Sequence, residues 1–216
     1  MLQAIVFDFD GTILETETPD YQSWQEIFTE HGCDLAMDLW CTYIGTASGT
    51  FDPYGLLAEQ AGVTIDRAAI RTRRRRRFHE LVAQQPLRPG VKDLLDAATS
   101  RQIALAIASS STRDWVEEIL ATRHLRHYFQ AVYTANDVTA VKPDPTLYLL
   151  AVQALGVQPA QALAIEDSLN GLLAAKRAGL KCVVAPHGMT QHMVFAEADV
   201  LLPSLAETTL DALLAL

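Results

Sequence analysis

The sequence predicts an α/β fold in which a doubly wound parallel sheet carries an inserted all-helical domain. A short apolar run at residues 2–7 is followed by Asp8, Asp10 and a glycine, which is typical of a buried parallel strand that ends in a turn. From Val91 onward helix and strand patterns alternate, and this alternation indicates βαβ units. Between these regions, residues 15–87 carry helical patterns without a convincing strand.

These patterns divide the chain into two parts. Residues 1–14 and 88–216 are predicted to form the sheet-containing core, and residues 15–87 the helical domain, with hinges expected at its two ends. Its first helix is expected to begin at Pro19 and Asp20, since both residue types are common at helix starts.

The remaining elements follow from apolar periodicity and from the glycines that end helices. The predicted helices are residues 91–100, 112–123, 147–155, 170–178 and 205–216, and the predicted strands are residues 103–108, 131–134, 162–165, 181–185 and 199–202. We expect the last strand to lie at an edge of the sheet.

The composition is that of a globular protein and argues against several kinds of partner. Half of the 216 residues are hydrophobic, which is enough for a sizeable core. A formal charge of −9 and a pI near 5.0 argue against nucleic-acid binding, which normally requires a broad basic surface. The apolar runs are too short for a membrane span or a signal peptide, so no membrane partner is expected.

Cysteine and histidine usage gives no sign of a disulfide framework or a transition-metal site. The three cysteines, Cys33, Cys41 and Cys182, lack CxxC spacing, and the six histidines do not cluster. A reduced, cytoplasmic protein is therefore expected.

Asp8 and Asp10 indicate a site that binds a cation or a proton. Their side chains would point the same way if the strand continued, and like charges held together favour such a ligand. A turn capped by an aspartate would explain Asp10 and Gly11 but not Asp8. Because parallel strands end at one edge of the sheet, polar residues that follow other strands are expected to join this pair.

Further polar features follow predicted strands: a serine, a lysine and an acidic pair, which are Ser109, Lys142 and Glu166-Asp167. Taken singly, the lysine could be a solvated loop residue, and the serine and the acidic pair could cap helices. Once these side chains share a pocket, their carboxylates suit a hard divalent cation, with magnesium favoured over zinc. Their hydroxyl and ammonium groups suit phosphoryl oxygens.

The ordered set, beginning with Asp8-Phe9-Asp10-Gly11-Thr12, resembles the four motifs of the haloacid dehalogenase superfamily of aspartate-nucleophile phosphohydrolases. The resemblance spans essentially the whole chain. Within the superfamily it is closest to the β-phosphoglucomutase-like group, which implies a Rossmann-like core and an inserted helical cap. The implied substrate is a small phosphorylated metabolite, such as a sugar phosphate, and the implied protein is a monomer or a weak homodimer.

The resemblance implies a role for each acidic residue. Asp8 would be the nucleophile that forms an aspartyl-phosphate, and Asp10 would be the general acid and then the general base. Mg²⁺ would be held by Asp8, by the backbone carbonyl of Asp10 and by Asp167, with Glu166 beside it.

The resemblance also implies a phosphate site. The hydroxyl of Ser109 and the backbone N–H of Ser110 would bind the phosphoryl group. Lys142 would neutralise charge on that group and on Asp8, as a transition state with negative equatorial oxygens requires.

Two departures from the mutase subgroup favour a phosphatase. Asp20 lies where the subgroup has a cap histidine, and Gly45 is followed by Thr46-Ala47-Ser48 where the subgroup has an arginine that grips a second phosphate. The enzyme is therefore expected to hydrolyse its substrate, with a phosphosugar mutase as the alternative.

Six of the 17 basic residues are arginines within residues 71–77. A charge run is typical of a solvated helix face, yet Arg74, and by extension Arg77, falls on the apolar stripe of its helix. An arginine there needs a partner. Because related caps place a basic residue on this helix, Arg74 or Arg77 is expected to meet an anionic group of the substrate.

Two other functions are weaker alternatives. A phospho-acceptor signalling module also uses an aspartate, a hydroxyl and a lysine, but it needs neither the acid–base Asp10 nor a cap. A halocarboxylate dehalogenase fits less well, because the pair Asp8 and Asp10, together with Asp167, suits phosphoryl transfer.

Overall fold

The computed structural model describes residues 2–44 and 51–216. The chain divides into two compact units, one of Met1–Leu14 and Leu87–Leu216 and the other of Glu15–Pro86. This division differs by one residue from the expected boundary after Leu87. Leu87 forms an antiparallel bridge with Leu14, and this backbone pairing places it in the first unit.

Within the described residues, the first unit contains a six-stranded parallel sheet of order β3-β2-β1-β4-β5-β6. The strands are β1 Ala4–Phe7, β2 Ala104–Ala108, β3 Ala131–Tyr133, β4 Ala162–Glu166, β5 Lys181–Val184 and β6 Val200–Leu201. The predicted doubly wound α/β fold is confirmed, and β6 lies at an edge as expected.

Helices connect these strands and make up the second unit. They are α1 Glu17–Glu30, α2 Met37–Cys41, α3 Pro53–Ala61, α4 Arg67–Ala83, α5 Val91–Ser100, α6 Arg113–Thr122, α7 Thr146–Ala154, α8 Leu169–Arg177 and α9 Leu210–Leu214. Short 3₁₀ turns lie at Arg126–Tyr128, Ala135–Asp137, Pro159–Gln161 and Leu205–Glu207. None of the helices in the described parts of the chain is both long and apolar enough to cross a membrane.

Strand β1 lies in the middle of the sheet and is buried on both faces. Ala4 and Val6 belong to the core that contains α7 and α8, and the alternate residues Ile5 and Phe7 are also fully buried. Phe7 is in register with the penultimate residues of its neighbours, Ile107 of β2 and Ile165 of β4. The residues that follow these three strands therefore emerge at one level of the sheet edge.

Two predicted helices begin or extend differently from expectation. Helix α1 begins at Glu17, before Pro19, because proline is tolerated in the first turn, where its missing N–H has no intrahelical partner. The predicted helix over residues 205–216 is interrupted at Thr208 and Thr209, which have extended backbones, as β-branched residues prefer. Thr209 then caps α9 by accepting a hydrogen bond from the Ala212 N–H.

In the second unit, α1 packs against α4. The contact combines buried apolar residues with ion pairs between the two helices. The apolar residues buried on these helices are Pro19, Tyr21, Trp24, Ile27 and Phe28 on α1, and Ile70, Leu81 and Val82 on α4. The described residues of this unit contain helices and no strand.

Candidate active site

The sheet edge collects a buried cluster of acidic groups. Asp8 follows β1, Glu166 ends β4 and Asp167 comes next, and these three residues offer carboxylate oxygens within 4.8 Å of one another. All three side chains are buried. The register of β1 with β4 explains the arrangement, because Asp8 continues the pairing through a hydrogen bond from its N–H to the carbonyl of Ile165.

Lys142 is the cation of this cluster. Its Nζ donates to Asp8 Oδ1 at 2.6 Å and to Glu166 Oε1 at 2.7 Å, and its side chain is only 4% exposed. Burial by itself would lower the pKa of Lys142, but the two carboxylates outweigh burial and the pKa is raised. Lys142 is therefore charged and buried, so the alternative of a solvated loop lysine is wrong.

Glu166 is fully buried and accepts hydrogen bonds at both carboxylate oxygens. Besides the lysine, Tyr148 Oη donates to Oε1 at 2.6 Å, and Ser168 Oγ donates to Oε2 at 3.2 Å. Gly171 leaves room for the carboxylate of Glu166, because a Cβ at position 171 would lie 1.9 Å from Glu166 Oε1. These neighbours fix the carboxylate of Glu166 beside the ammonium of Lys142.

Asp8 has one satisfied and one unsatisfied oxygen. Oδ1 accepts from Lys142, whereas no hydrogen-bond donor among the described residues reaches the buried Oδ2. Burial raises the pKa of the Asp8 carboxyl well above its usual range, Lys142 opposes this rise, and Glu166 and Asp167 add to it. Three buried carboxylates thus lie around one ammonium, and one oxygen of Asp8 accepts no hydrogen bond from the part of the chain that the structure describes. This environment fits a hard divalent cation.

Gly11 allows the turn after β1 to approach Asp167. Its φ of +82° is favourable only for glycine, and a Cβ would lie 2.4 Å from Asp167 Oδ2. Thr12 Oγ1 lies 3.3 Å from Asp167 Oδ1 as a donor, and His187 Nε2 lies 3.1 Å from Asp167 Oδ2. His187 was not singled out from the sequence, because its contact depends on the loop after β5.

Arg88 is a second residue that sequence reasoning missed. Its guanidinium donates to the backbone carbonyls of Gly11, Ala185 (2.8 Å) and Pro186 (3.0 Å). It therefore ties the turn after β1 to the loop after β5. Nothing in the local sequence marks this role, because all three acceptors are backbone atoms distant in the chain.

Asp10 accepts hydrogen bonds from two residues that follow β2. Ser111 Oγ donates to Oδ2 at 2.6 Å, and the indole Nε1–H of Trp115 donates to Oδ1 at 2.9 Å. The sequence pattern indicated only an apolar position for Trp115 on α6.

Ser109 and Ser110 lie in the turn after β2, as expected. Ser109 is buried, and its Oγ accepts from the N–H of Ser111 at 3.0 Å, while Ser110 is exposed. The N-cap of α6 is Thr112, so the alternative in which Ser109 caps this helix is wrong.

The candidates in the helical unit pair with acidic residues of the same unit. Arg74 forms an ion pair with Asp20, and its guanidinium also donates to Ser23 Oγ at 3.2 Å. Arg77 binds Glu26 through two nitrogens, at 2.8 and 2.9 Å. Arg74 therefore has the partner that its place on the apolar stripe requires.

The other arginines of the run, Arg71, Arg73, Arg75 and Arg76, are exposed, as expected of a solvated face. The segment Gly45 to Ser48, whose sequence argues against a second phosphate site, lies outside the described residues.

Comparison with known proteins finds relatives that match nearly the whole chain. YhcW of Bacillus subtilis (strain 168), which is named as a phosphatase, is 46% identical over 99% of this chain and 97% of its own length. The crystal structure of CbbY from Rhodobacter sphaeroides in complex with phosphate has a TM-score of 0.79 and 35% identity, covering 96% of each chain. A second crystal structure of CbbY holds xylulose-(1,5)bisphosphate.

A structure of a β-phosphoglucomutase-like protein from Thermotoga maritima has a TM-score of 0.81 and 26% identity, covering 95% of this chain and 96% of its own. The predicted resemblance to the β-phosphoglucomutase-like group is thereby confirmed. Residues 5–185, which include all four sequence motifs, match the family described as haloacid dehalogenase-like hydrolase. The chain therefore belongs to the haloacid dehalogenase-like hydrolase family.

Proposed function

We propose that the protein is a magnesium-dependent phosphatase that hydrolyses a small phosphomonoester, such as a sugar phosphate, through an aspartyl-phosphate on Asp8. The observation that carries the proposal is the buried cluster of Asp8, Lys142, Glu166 and Asp167, in which one oxygen of Asp8 has no donor among the described residues. The phosphatase relative and the phosphate and bisphosphate complexes of CbbY support the choice of substrate.

The donor set of the cluster fits magnesium. Asp8 Oδ2 and the carboxylate of Asp167 are hard oxygen ligands, and the backbone carbonyl of Asp10 would add a third. Glu166 is less suited to bind the metal directly, because both its oxygens already accept hydrogen bonds. We therefore assign Glu166 the task of orienting Lys142. When bound, magnesium would neutralise part of the charge on the transferring phosphoryl group.

The chemistry of the first step falls to Asp8 and Asp10. An oxygen of Asp8 attacks phosphorus, the bond from phosphorus to the ester oxygen breaks, and Asp10 gives a proton to that oxygen. Lys142 stabilises the negative charge that spreads over the phosphoryl oxygens, and the turn at Ser109 and Ser110 supplies a hydroxyl and an N–H to the same group. Asp10 then takes a proton from the water that hydrolyses the aspartyl-phosphate.

Hydrolysis, rather than transfer to a second sugar hydroxyl, is supported by Asp20. In this chain the position holds a carboxylate that is ion-paired with Arg74. A carboxylate cannot serve as the cation that a second phosphate requires. The Thr46-Ala47-Ser48 segment carries no charged residue, which also supports hydrolysis.

A phosphate-release assay tests the proposal. Purified protein would be incubated with phosphorylated sugars, polyols, nucleotides and carboxylic acids, with magnesium or with EDTA. We expect phosphate from at least one sugar or polyol phosphate with magnesium and none with EDTA. If no phosphomonoester released phosphate in the presence of magnesium, the proposed function would be wrong.

A further inference from the structure

We propose that Trp115 is a positioning residue that decides which oxygen of Asp10 carries the transferred proton. This inference rests on the proposed function, because it concerns the general acid of that reaction. Nothing in the family motifs marks Trp115, and its only sequence signal was an apolar position on α6. The geometry around Asp10 is what points to it.

The two oxygens of Asp10 accept from chemically different donors. Trp115 Nε1–H lies 2.9 Å from Oδ1, and Ser111 Oγ lies 2.6 Å from Oδ2. An indole N–H can only donate, whereas a hydroxyl can donate or accept. The two sides of the carboxylate therefore respond differently when Asp10 gains a proton.

A proton on Oδ1 would face the hydrogen of the Trp115 indole. A proton on Oδ2 can instead be donated to Ser111 Oγ, once that hydroxyl rotates and becomes the acceptor. Trp115 thus keeps Oδ1 as an acceptor in both protonation states and confines the acidic proton to Oδ2.

The proton then follows one path. When the bond from phosphorus to the ester oxygen breaks, its electron pair stays on that oxygen, which takes the proton from Oδ2 in place of Ser111 Oγ. Asp10 is left as a carboxylate that still accepts from Trp115 at Oδ1. In the hydrolytic step Oδ2 takes a proton from the attacking water, which restores the starting state.

Packing alone does not account for this contact. The residues of α6 that are buried in the core are Val116, Ile119 and Leu120, while Trp115 is half-buried on a neighbouring face. A residue needed only for packing would not require its single polar atom to meet the general acid.

The test uses Trp115→Phe, which keeps an aromatic ring and removes the N–H. Turnover of the preferred alkyl phosphate should fall by about tenfold to a hundredfold, the range expected for losing one hydrogen bond to a charged group, with KM little changed. The first step with nitrophenyl phosphate, measured as pre-steady-state release of nitrophenol, should be nearly unaffected, because this leaving group needs little protonation. Trp40→Phe, a tryptophan replacement in the helical unit, is the matched control and should behave like wild type on both substrates.

A double-mutant cycle separates positioning from general structural damage. In an Asp10→Asn background, Trp115→Phe should cause no further loss of turnover. An equal loss in the rate of the first step with both substrates, or an additive loss in that background, would overturn the inference. Should the Phe variant not fold, site-specific benzothienylalanine at position 115 removes only the N–H and must give the same result.

The same experiment distinguishes failure of the inference from failure of the proposed function. Asp10→Asn alone should slow turnover of the alkyl phosphate by roughly 10²–10⁴-fold. Wild-type turnover in that variant would remove Asp10 from the acid–base role, and the proposed mechanism would fail with it. A slow Asp10→Asn variant combined with a fully active Trp115→Phe variant would overturn the inference alone.

Discussion

At the residue scale, Asp8 links the proposed metal site to the proposed phosphoryl-transfer chemistry, because its carboxylate is the proposed nucleophile and a candidate metal ligand. Oδ1 is held by Lys142, and Oδ2 is the buried oxygen without a donor among the described residues. Asparagine at this position would keep the volume but would remove the charge and the nucleophilic oxygen.

We therefore predict that Asp8→Asn gives a folded protein with essentially no turnover. The measurement is phosphate release under saturating substrate, with circular dichroism to verify folding. Mg²⁺ affinity, measured by calorimetry, should fall as well, since one anionic ligand is lost. Substantial hydrolysis by the verified folded variant would remove Asp8 from the nucleophile role.

Gly171 gives a second prediction at this scale. Alanine in a helix normally stabilises by about 0.5–1 kcal/mol relative to glycine. Here the added Cβ would lie 1.9 Å from Glu166 Oε1 and would force that carboxylate away from Lys142. Gly171→Ala should therefore lower both the melting temperature and, by roughly tenfold or more, the turnover, since a hydrogen bond between buried charged groups is lost.

The control for this prediction is Gly188→Ala. At that position an added Cβ meets no heavy atom of the described residues within 4 Å, and φ is not in the left-handed region. It should leave turnover unchanged. A Gly171→Ala variant as active and as stable as the Gly188→Ala variant would show that Glu166 can move without disturbing Lys142.

Residues of the site could be predicted where the residue type and the neighbouring sequence pattern marked them. Asp8, Lys142 and Asp167 each follow a strand or begin the turn after it, so periodicity and residue type marked them. Trp115 and Tyr148 were not predictable, because each looks like an ordinary apolar helix position. Only the three-dimensional structure brings their polar atoms to Asp10 and Glu166, 105 and 18 residues away in the chain.

At the scale of elements, the contact between α1 and α4 combines buried apolar side chains with the pairs Arg74–Asp20 and Arg77–Glu26. The side chains of Arg74 and Asp20 are 20% and 33% exposed, so solvent screens the pair only in part. A partly buried pair of this kind stabilises by about 1 kcal/mol, near the upper end for exposed pairs. Stability and substrate recognition are therefore both possible roles for Arg74.

We predict that alanine at Arg74 or Arg77 reduces kcat/KM for the preferred substrate while sparing nitrophenyl phosphate. Asp20→Ala is the matched control, because it breaks the same ion pair but keeps the guanidinium of Arg74. A loss of kcat/KM in Arg74→Ala that exceeds the loss in Asp20→Ala would indicate a substrate contact. Equal losses in the two variants, together with equal drops in melting temperature, would restrict Arg74 to joining the helices.

The elements themselves were predicted to within one or two residues where apolar periodicity and a stop signal coincided. Helix α5 matches its prediction over residues 91–100, and α7 ends just before Gly156, as expected. The predicted C-terminal helix was longer than the observed one, because the apolar pattern continued through Thr208 and Thr209. The preference of these two residues for an extended backbone overrode the pattern.

At the scale of the whole molecule, the central place of β1 gives the site its residues from four parts of the chain. The sheet order puts β2 on one side of β1 and β4 on the other, so the turns after all three strands leave at one level. Sequence periodicity predicted parallel strands but could not predict this order, because pairing depends on contacts between distant segments. The family resemblance implied a Rossmann-like core, and the strand order itself comes from the structure.

The remaining question at this scale is whether water or a second sugar hydroxyl accepts the phosphoryl group. A mutase must hold a second phosphate so that its bisphosphate intermediate reorients before water attacks. This chain has the carboxylate of Asp20 in an ion pair with Arg74, and Thr46-Ala47-Ser48 supplies no positive charge. Neither Asp20 nor Thr46-Ala47-Ser48 supplies a positive charge to compensate a second phosphate, so water should be the dominant acceptor.

We therefore predict that the enzyme, incubated with magnesium, β-glucose 1-phosphate and a trace of the 1,6-bisphosphate, releases free phosphate and forms little glucose 6-phosphate. Both products can be measured in one reaction, by a phosphate assay and by coupling to glucose-6-phosphate dehydrogenase. A β-phosphoglucomutase assayed in parallel is the positive control for isomerisation. Rapid formation of glucose 6-phosphate with negligible phosphate release would make the protein a mutase, while the roles of Asp8, Lys142 and the metal site would stand, because both reactions pass through the same aspartyl-phosphate.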